Sequence, residues 1–277
     1  MIKSLIKGLL SLISFLTIIP TKEHDLRLAA KYFYLVPAVG LIRGLIVAVT
    51  TASIFSITKD PLLASVTSLA MHALIQGFNH IDGFIDFSEA ILSGSRGYEA
   101  LKIVKDVHRG AFAIAIYGIY LLIAASVIRY VLLIANQYLY VVLILTYSEV
   151  ASASTMFILA KFSRLPNYDG LGKLFIVECR DLSKFLKFIA VLTACLTPAS
   201  ILVISLGSTH YVVLAVSVTL LTSVVSASVL SRYLANKVLG FTQGDVLGFT
   251  NEFSWINYLI IYSILITLIG RYGVINT

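Results

Sequence analysis

Seven long apolar runs constrain what this chain can fold into more than any other feature. They cover residues 33–58, 61–77, 110–129, 132–160, 185–206, 211–231 and 253–270. A transmembrane helix needs about 20 mainly apolar residues, and each run approaches or exceeds that length. Only 13% of the residues are charged, against about 25% in a soluble domain. The sequence therefore predicts an all-α, polytopic integral membrane protein with about seven transmembrane helices.

Residues 4–19 form a further apolar segment whose placement the sequence leaves open. Lys3 and Lys7 lie in or beside this segment. It is therefore either an eighth span or a helix in the membrane interface whose lysines reach the headgroups. The rest of the chain has no internal repeat, low-complexity tract or soluble appendage. We expect a single transmembrane domain over residues 1–277.

Lysine and arginine are concentrated in alternate loops. Most of the 21 basic residues lie in segments 21–31, 96–109, 161–187 and 232–237, whereas the intervening turns hold Lys59 and Arg129. By the positive-inside rule, the basic loops are cytoplasmic and the protein lies in the cell membrane. The net charge of +7 is then mainly a topology signal. It also suits anionic lipid headgroups or a phosphate-bearing substrate, and we expect no nucleic-acid partner.

Three carboxylates occur within eight residues just after the second apolar run. Asp82, Asp86 and Glu89 are spaced i, i+4 and i+7, which places them within about 60° of one helical face. Like charges on one face repel unless a cation or a proton lies between them. The spacing therefore predicts a divalent metal site. His80 falls on the opposite face of an ideal helix, and the sequence leaves its role open between ligand contact and packing.

A second polar cluster stands at the entry to the next apolar run. Asp106 is flanked by Lys105, His108 and Arg109, and Gly110 follows. A carboxylate among cations beside a glycine is typical of a site where a phosphate meets a metal-binding aspartate. The alternative is that the basic side chains only anchor the loop at the membrane surface.

A third cluster, residues 240–252, precedes the last apolar run. Gly244 permits a close backbone approach, and Asp245 and Glu252 are seven residues apart, again on one helical face. A fourth segment, residues 164–172, is read either as a substrate loop or as a plain turn.

Together these residues resemble the cobalamin synthase family, the adenosylcobinamide-GDP ribazoletransferases. The family's core pattern is approximately His-x-Asp-Gly-x-x-Asp-x-x-Asp-Gly, and residues 80–90 read His-x-Asp-Gly-x-x-Asp-x-x-Glu-Ala. A second pattern, near Met-Lys-Asp-Ser-Arg-x-Gly-Ala, is similar to residues 104–111, with His108 in place of the arginine. Further matches follow the family's order at residues 15–20, 37–44, 170–172 and 244–252. An arginine that the family commonly carries before the third of these is absent from residues 149–155.

The resemblance implies a reaction and its cofactor. The family joins adenosylcobinamide-GDP to α-ribazole or its 5′-phosphate, with release of GMP and with Mg²⁺ required. By this resemblance the catalytic residues are expected to be His80, Asp82, Asp86 and Asp106. Substrate phosphates would be bound by Lys105, His108, Arg109, Gly244 and Asp245. The expected metal ligands are Asp82, Asp86, Glu89, Asp106, Asp245 and Glu252. The active site would face the cytoplasm, and a homo-oligomer is compatible with the sequence.

Two other classes of protein share part of this pattern. An intramembrane prenyltransferase or CDP-alcohol transferase also binds Mg²⁺-diphosphate through aspartates one helical turn apart, but a second aspartate-rich motif is missing here. A cation-coupled transporter would carry its carboxylates near the membrane midplane within repeated halves. The sequence has no such repeat, and its carboxylates cluster toward one membrane face.

Overall fold

The computed structural model describes residues 2–108, 110–135, 137–205 and 210–271. All regular elements within these ranges are helical, which confirms the predicted fold class. The α-helices are α1 (Ile2–Leu16), α2 (Leu26–Lys31), α3 (Val36–Thr58), α4 (Pro61–Ile75), α5 (Asn79–Leu92), α6 (Gly97–Val104), α7 (Ala111–Ile134), α8 (Tyr138–Phe162), α9 (Leu171–Cys179), α10 (Leu182–Ser205), α11 (His210–Val238) and α12 (Gly244–Arg271). A 3₁₀ turn, Phe33–Leu35, leads into α3.

The described residues contain five helices that are long and apolar enough to cross a membrane. These are Phe33–Thr58, Ala111–Ile134, Tyr138–Phe162, Val212–Val238 and Gly244–Ile269. A sixth span results if α4 and α5 are counted together as one broken segment. The protein is therefore a multi-pass membrane protein, but the predicted count of seven is not confirmed. Helix α10 matches the predicted run 185–206, and its side chains are described only as far as Thr197.

The second predicted run is not a straight span. Helix α4 ends after 15 residues, and α5 leaves it at an angle of 96°. The bend is made by Gly77 and Phe78, which both have a φ of 61°. A left-handed backbone is natural for glycine and uncommon for phenylalanine, so this turn is locally strained. The turn places the carboxylates of α5 on a separate short helix.

Helix α8 is the most enclosed of these five spans. In its apolar segment 89% of the residues are buried inside the protein, against 22% in α7. It lies close to α3, where a Cβ added to Gly40 or Gly44 would come within 2.7 or 2.5 Å of a backbone oxygen of α8. Close contact through small residues is how helices associate in membranes, where the hydrophobic effect between them is weak.

Helix α12 packs against α5 in the same way. A Cβ on Gly83 would lie 2.8 Å from the backbone oxygen of Asp245, and one on Gly248 would lie 3.1 Å from that of His80. Helix α12 also begins nine residues before the predicted run 253–270. Asp245 and Glu252 are therefore both within the helix, and neither lies in a preceding loop.

The amino-terminal helix α1 is amphipathic. It buries Leu12 and Leu16, whereas Lys3 and Lys7 are exposed. Its 15 residues extend about 22 Å, less than the ~30 Å of a bilayer core. Of the two predicted placements, this length favours a helix in the membrane interface.

Candidate active site

The acidic face predicted for residues 82–89 is formed on α5. Asp82 lies in the first turn of the helix and is exposed, Asp86 is buried, and Glu89 is half-buried. A carboxylate in the first turn is favoured by the positive end of the helix dipole. The acidic face is therefore exposed to solvent at Asp82 and enclosed by the protein at Asp86.

Asp245 lies beside this face. It occupies the first turn of α12, and its backbone is in close contact with Gly83, which stands between Asp82 and Asp86. The two helices that carry the predicted acidic clusters thus meet at the positions of the acids. The sequence predicted both clusters, and the structure brings them together.

The loop after α6 closes over the other end of the acidic face. The backbone N–H of Gly110 donates to Glu89 Oε1 at 2.9 Å. Asp106 Oδ1 accepts from the backbone N–H of His108 at 2.9 Å and faces its ring Nδ1 at 3.2 Å. These residues share a cavity of about 290 Å³, which is lined by Glu89, Ser93, Ile103, Asp106, His108, Gly110 and Phe112. Arg109 lies outside the described residues.

Tyr168 joins this loop to the start of α12. The ammonium group of Lys105 lies 4.3 Å from the centre of the Tyr168 ring, a cation–π distance. The Tyr168 hydroxyl donates to Gln243 Oε1, directly before α12. Burial raises the pKa of the Tyr168 phenol, and the negative charge of Asp245 raises it further. The segment 164–172, read from sequence as a loop or a turn, therefore adjoins both polar clusters.

His80 and Glu252 are buried, as Asp86 is. His80 is buried, and its Nε2 has no hydrogen-bond partner among the described residues. Both oxygens of Glu252 accept protein hydrogen bonds: Oε2 from Tyr120 at 2.6 Å, and Oε1 from Asn251 at 3.0 Å. A metal-ligand role for Glu252 stays a prediction.

Sequence reasoning missed a buried polar network beside Glu252. Arg43, His72 and Glu149 are fully buried, and they lie on α3, α4 and α8. The Arg43 guanidinium forms an ion pair with Glu149 at 3.1 Å, and His72 contacts both Glu149 and Glu252. The available signal was the presence of charged residues inside apolar runs, which are costly in a membrane and are by default functional.

The residues of the acidic face have the right chemistry for Mg²⁺. Among the described residues, no three His, Cys, Asp or Glu side chains converge closely enough to form a complete cage for a metal ion. Mg²⁺ usually binds through one or two carboxylates together with substrate phosphates and water. The carboxylates on α5 and α12 are hard oxygen donors, and Glu89 lines the cavity, so they fit such a shared site.

Comparison with known proteins points to one family. The sequence profile of the cobalamin-5-phosphate synthase family matches residues 8–263. An adenosylcobinamide-GDP ribazoletransferase of Thermoplasma volcanium is 30% identical over 99% of this chain and 95% of its own length. One from Archaeoglobus fulgidus is 27% identical over 89% of this chain and 93% of its own. One from Saccharolobus islandicus (strain M.14.25 / Kamchatka #1) is 32% identical over 66% and 71%. No solved structure matches.

Proposed function

Since this chain belongs to the cobalamin-5-phosphate synthase family, we propose that it joins adenosylcobinamide-GDP to α-ribazole or α-ribazole 5′-phosphate. Membership makes the protein a transferase of cobalamin biosynthesis that acts in the final assembly of the nucleotide loop. The full-length match decides against the prenyltransferase and transporter alternatives.

The proposed reaction is a phosphodiester transfer. The ribose 3′-hydroxyl of the ribazole attacks the phosphorus that carries the corrinoid's aminopropanol arm. The bond from that phosphorus to the bridging oxygen breaks, and GMP leaves with the bonding electron pair. Such a transfer needs positioning and charge neutralisation more than covalent participation by the protein.

The observation that carries the proposal is that two further polar segments both contact the acidic face of α5. The acidic face of α5 contacts the first turn of α12 at Gly83, and the cavity formed by Glu89, Asp106 and His108 adjoins the same face. A diphosphate needs cations on one side and a metal-binding acid on the other. This arrangement offers both.

In this proposal the cationic side chains hold the phosphates. The Lys105 ammonium lies over the face of the Tyr168 ring. A cation–π contact does not use the N–H donors of the ammonium, so they can still donate to phosphate oxygens. His108 lines the cavity beside Asp106. The proposed phosphate contact of Arg109 concerns a residue outside the described ranges. The exposed backbone at Gly244 offers close approach to a substrate.

Magnesium would be held by Asp82, Asp86 and Asp245, with Glu89 and Asp106 at the cavity side. Bound there, it supplies positive charge to the diphosphate and lowers the pKa of a coordinated hydroxyl. The proton of the attacking hydroxyl passes to an Oδ atom of whichever exposed carboxylate, Asp82 or Asp106, does not hold the metal. His80, which is buried, is the alternative acceptor.

We further propose that this site faces the cytoplasm and that the protein lies in the cell membrane. The segments that carry Lys105, Arg164 and Lys237 contain most of the basic residues, as expected of the cytoplasmic side. Membrane lipid surrounds the exposed apolar faces of the spans, and assembly into a homo-oligomer is compatible with this surface.

The test uses the purified protein in detergent. It is incubated with adenosylcobinamide-GDP, α-ribazole and Mg²⁺, and GMP and the completed corrinoid are detected by chromatography. We expect both products in equal amounts and neither product when Mg²⁺ is chelated. Failure to release GMP from a monodisperse, folded preparation would refute the proposed function.

A further inference from the structure

Arg43, His72, Glu149 and Glu252 form one continuous group inside the membrane domain, here called the buried tetrad. All four side chains are fully buried. The Arg43 guanidinium pairs with Glu149 Oε2 at 3.1 Å. His72 Nε2 lies 3.0 Å from Glu252 Oε2, and His72 Nδ1 contacts Glu149 Oε1. The tetrad thus connects α3, α4, α8 and α12.

The donors and acceptors of the tetrad indicate that its charges balance. Each ring nitrogen of His72 faces a carboxylate oxygen, and an ionised carboxylate can only accept a hydrogen bond. A ring between two ionised carboxylates donates at both nitrogens, as an imidazolium does. Two cations then stand against two carboxylates. A buried charge that loses its partner is strongly destabilising, so each member of such a group constrains the positions of the others.

Polar neighbours extend the tetrad and orient it. Gln76 Oε1 accepts from Arg43 at 3.1 Å and from Asn251 at 2.8 Å, and Gln76 Nε2 donates to the His72 carbonyl at 3.2 Å. The Trp255 ring stacks on the His72 ring at a centroid distance of 3.8 Å. Three α12 side chains, those of Asn251, Glu252 and Trp255, therefore contact the carboxyl end of α4.

The tetrad connects α12 to α4, the helix that leads into α5. His72 is in the last turn of α4, and Gln76 caps that helix just before the tight turn into α5. Glu252 stands seven residues after Asp245, which is two turns along α12. A contact between His72 and Glu252 therefore determines how far the start of α12 slides along α5.

We propose that Glu252 is a positioning residue, which acts through His72 to set Asp245 against the Asp82 and Asp86 face of α5. This inference rests on the proposed function, because it assigns those three aspartates to one site. It gives Glu252 a role other than the metal ligand predicted from sequence.

The experiment compares Glu252→Gln with the double variant His72→Gln/Glu252→Gln. The single variant leaves an uncompensated buried cation, whereas the double variant removes one charge of each sign and keeps amide groups that can bond to each other. We expect Glu252→Gln to lower kcat at least roughly tenfold, with both KM values within about threefold of wild type. The double variant should recover most of that loss.

A distance measurement provides the readout that does not depend on activity. Spin labels are placed on cysteines at Leu92 of α5 and Ile264 of α12, which are both exposed, in a background where Cys179 and Cys195 are alanine. We expect a narrow distance distribution in the wild type, a shifted or broadened one in Glu252→Gln, and a return to the narrow form in the double variant.

Several results would overturn the proposal. A metal ligand at Glu252 predicts that both variants are inactive, that their distance distributions match the wild type, and that higher Mg²⁺ partly restores turnover. A kcat for Glu252→Gln within about twofold of wild type would also end it. If neither variant folds, the test uses Glu252→Asp, which keeps the charge but shortens the side chain. An unchanged kcat and an unchanged distance distribution in that variant would refute the positioning role of Glu252. Absence of GMP release by the wild type refutes the proposed function alone, since the distances are measured independently.

Discussion

Replacing Gly83 with alanine tests whether the contact between α5 and α12 sets the geometry of the site. The new methyl group would lie 2.8 Å from the backbone oxygen of Asp245, 3.0 Å from its Cα and 3.2 Å from the Cα of Gly248. All three atoms belong to backbone, so no side chain can rotate out of the way. Ordinary contacts begin near 3.4 Å, so the helices must separate by about 0.6 Å.

Two opposing terms determine the stability of this variant. Overpacking costs about 1–3 kcal/mol, whereas alanine is favoured over glycine within a helix by about 1 kcal/mol. The free energy of unfolding should therefore fall by only about 0–2 kcal/mol. Activity should respond more strongly, because a misplacement near 1 Å can cost about 100-fold in rate. We expect kcat to fall roughly 10- to 100-fold.

The matched control is Gly118→Ala on α7. A Cβ at Gly118 has no neighbouring atom within 4 Å, so this variant carries the helix-propensity gain without the clash. Its kcat should stay within about twofold of wild type. The assay is GMP release in detergent under saturating substrates, with thermal unfolding followed on the same samples. A Gly83→Ala enzyme with wild-type kcat and cooperative unfolding would refute the argument.

Three further predictions address the acids, the phosphate contact and the topology. Asp86→Asn should abolish GMP release without loss of expression; activity near wild type across the whole of a Mg²⁺ titration would contradict a metal-binding role. Lys105→Ala should lower kcat/KM for adenosylcobinamide-GDP roughly 10- to 150-fold, since a charge-assisted hydrogen bond contributes about 1.5–3 kcal/mol. The control Lys102→Ala, which removes an exposed lysine paired with Glu99, should have little effect, and equal effects of the two variants would reduce Lys105 to a membrane anchor. A cysteine at Ser95 should be protected from an impermeant reagent added outside intact cells, whereas one at Lys59 should react; the reverse pattern would invert the proposed orientation.

The strained turn at Gly77 and Phe78 explains why the second run found by hydropathy is not one straight span. Residues 61–77 are mainly apolar. Hydropathy averaged over such a run contains no information about the 96° change of direction that follows it. The turn is signalled in sequence only by one glycine. The left-handed conformation of Phe78 is stable only because the surrounding helices hold it.

The sequence by itself determined the properties that depend on short stretches of chain. Apolar runs of about 20 residues identify a membrane protein, and the spacing of Asp82, Asp86 and Glu89 predicts an acidic helical face that the structure confirms. The ordered motifs identified the family, which the full-length match confirms. Each of these signals is contained in a short stretch of chain. It can therefore be recognised without knowing which other helices that stretch packs against.

The tertiary structure alone decided which of these segments meet. Arg43, Glu149 and Asn251 are far apart in sequence, yet their side chains share one buried network. Likewise, Tyr168 joins the loop of Lys105 to the start of α12, and the close contact at Gly83 sets Asp245 beside the α5 face. Such contacts depend on which helices are neighbours and how closely their backbones approach. Hydropathy and helical periodicity describe one segment at a time, so they contain no information about either.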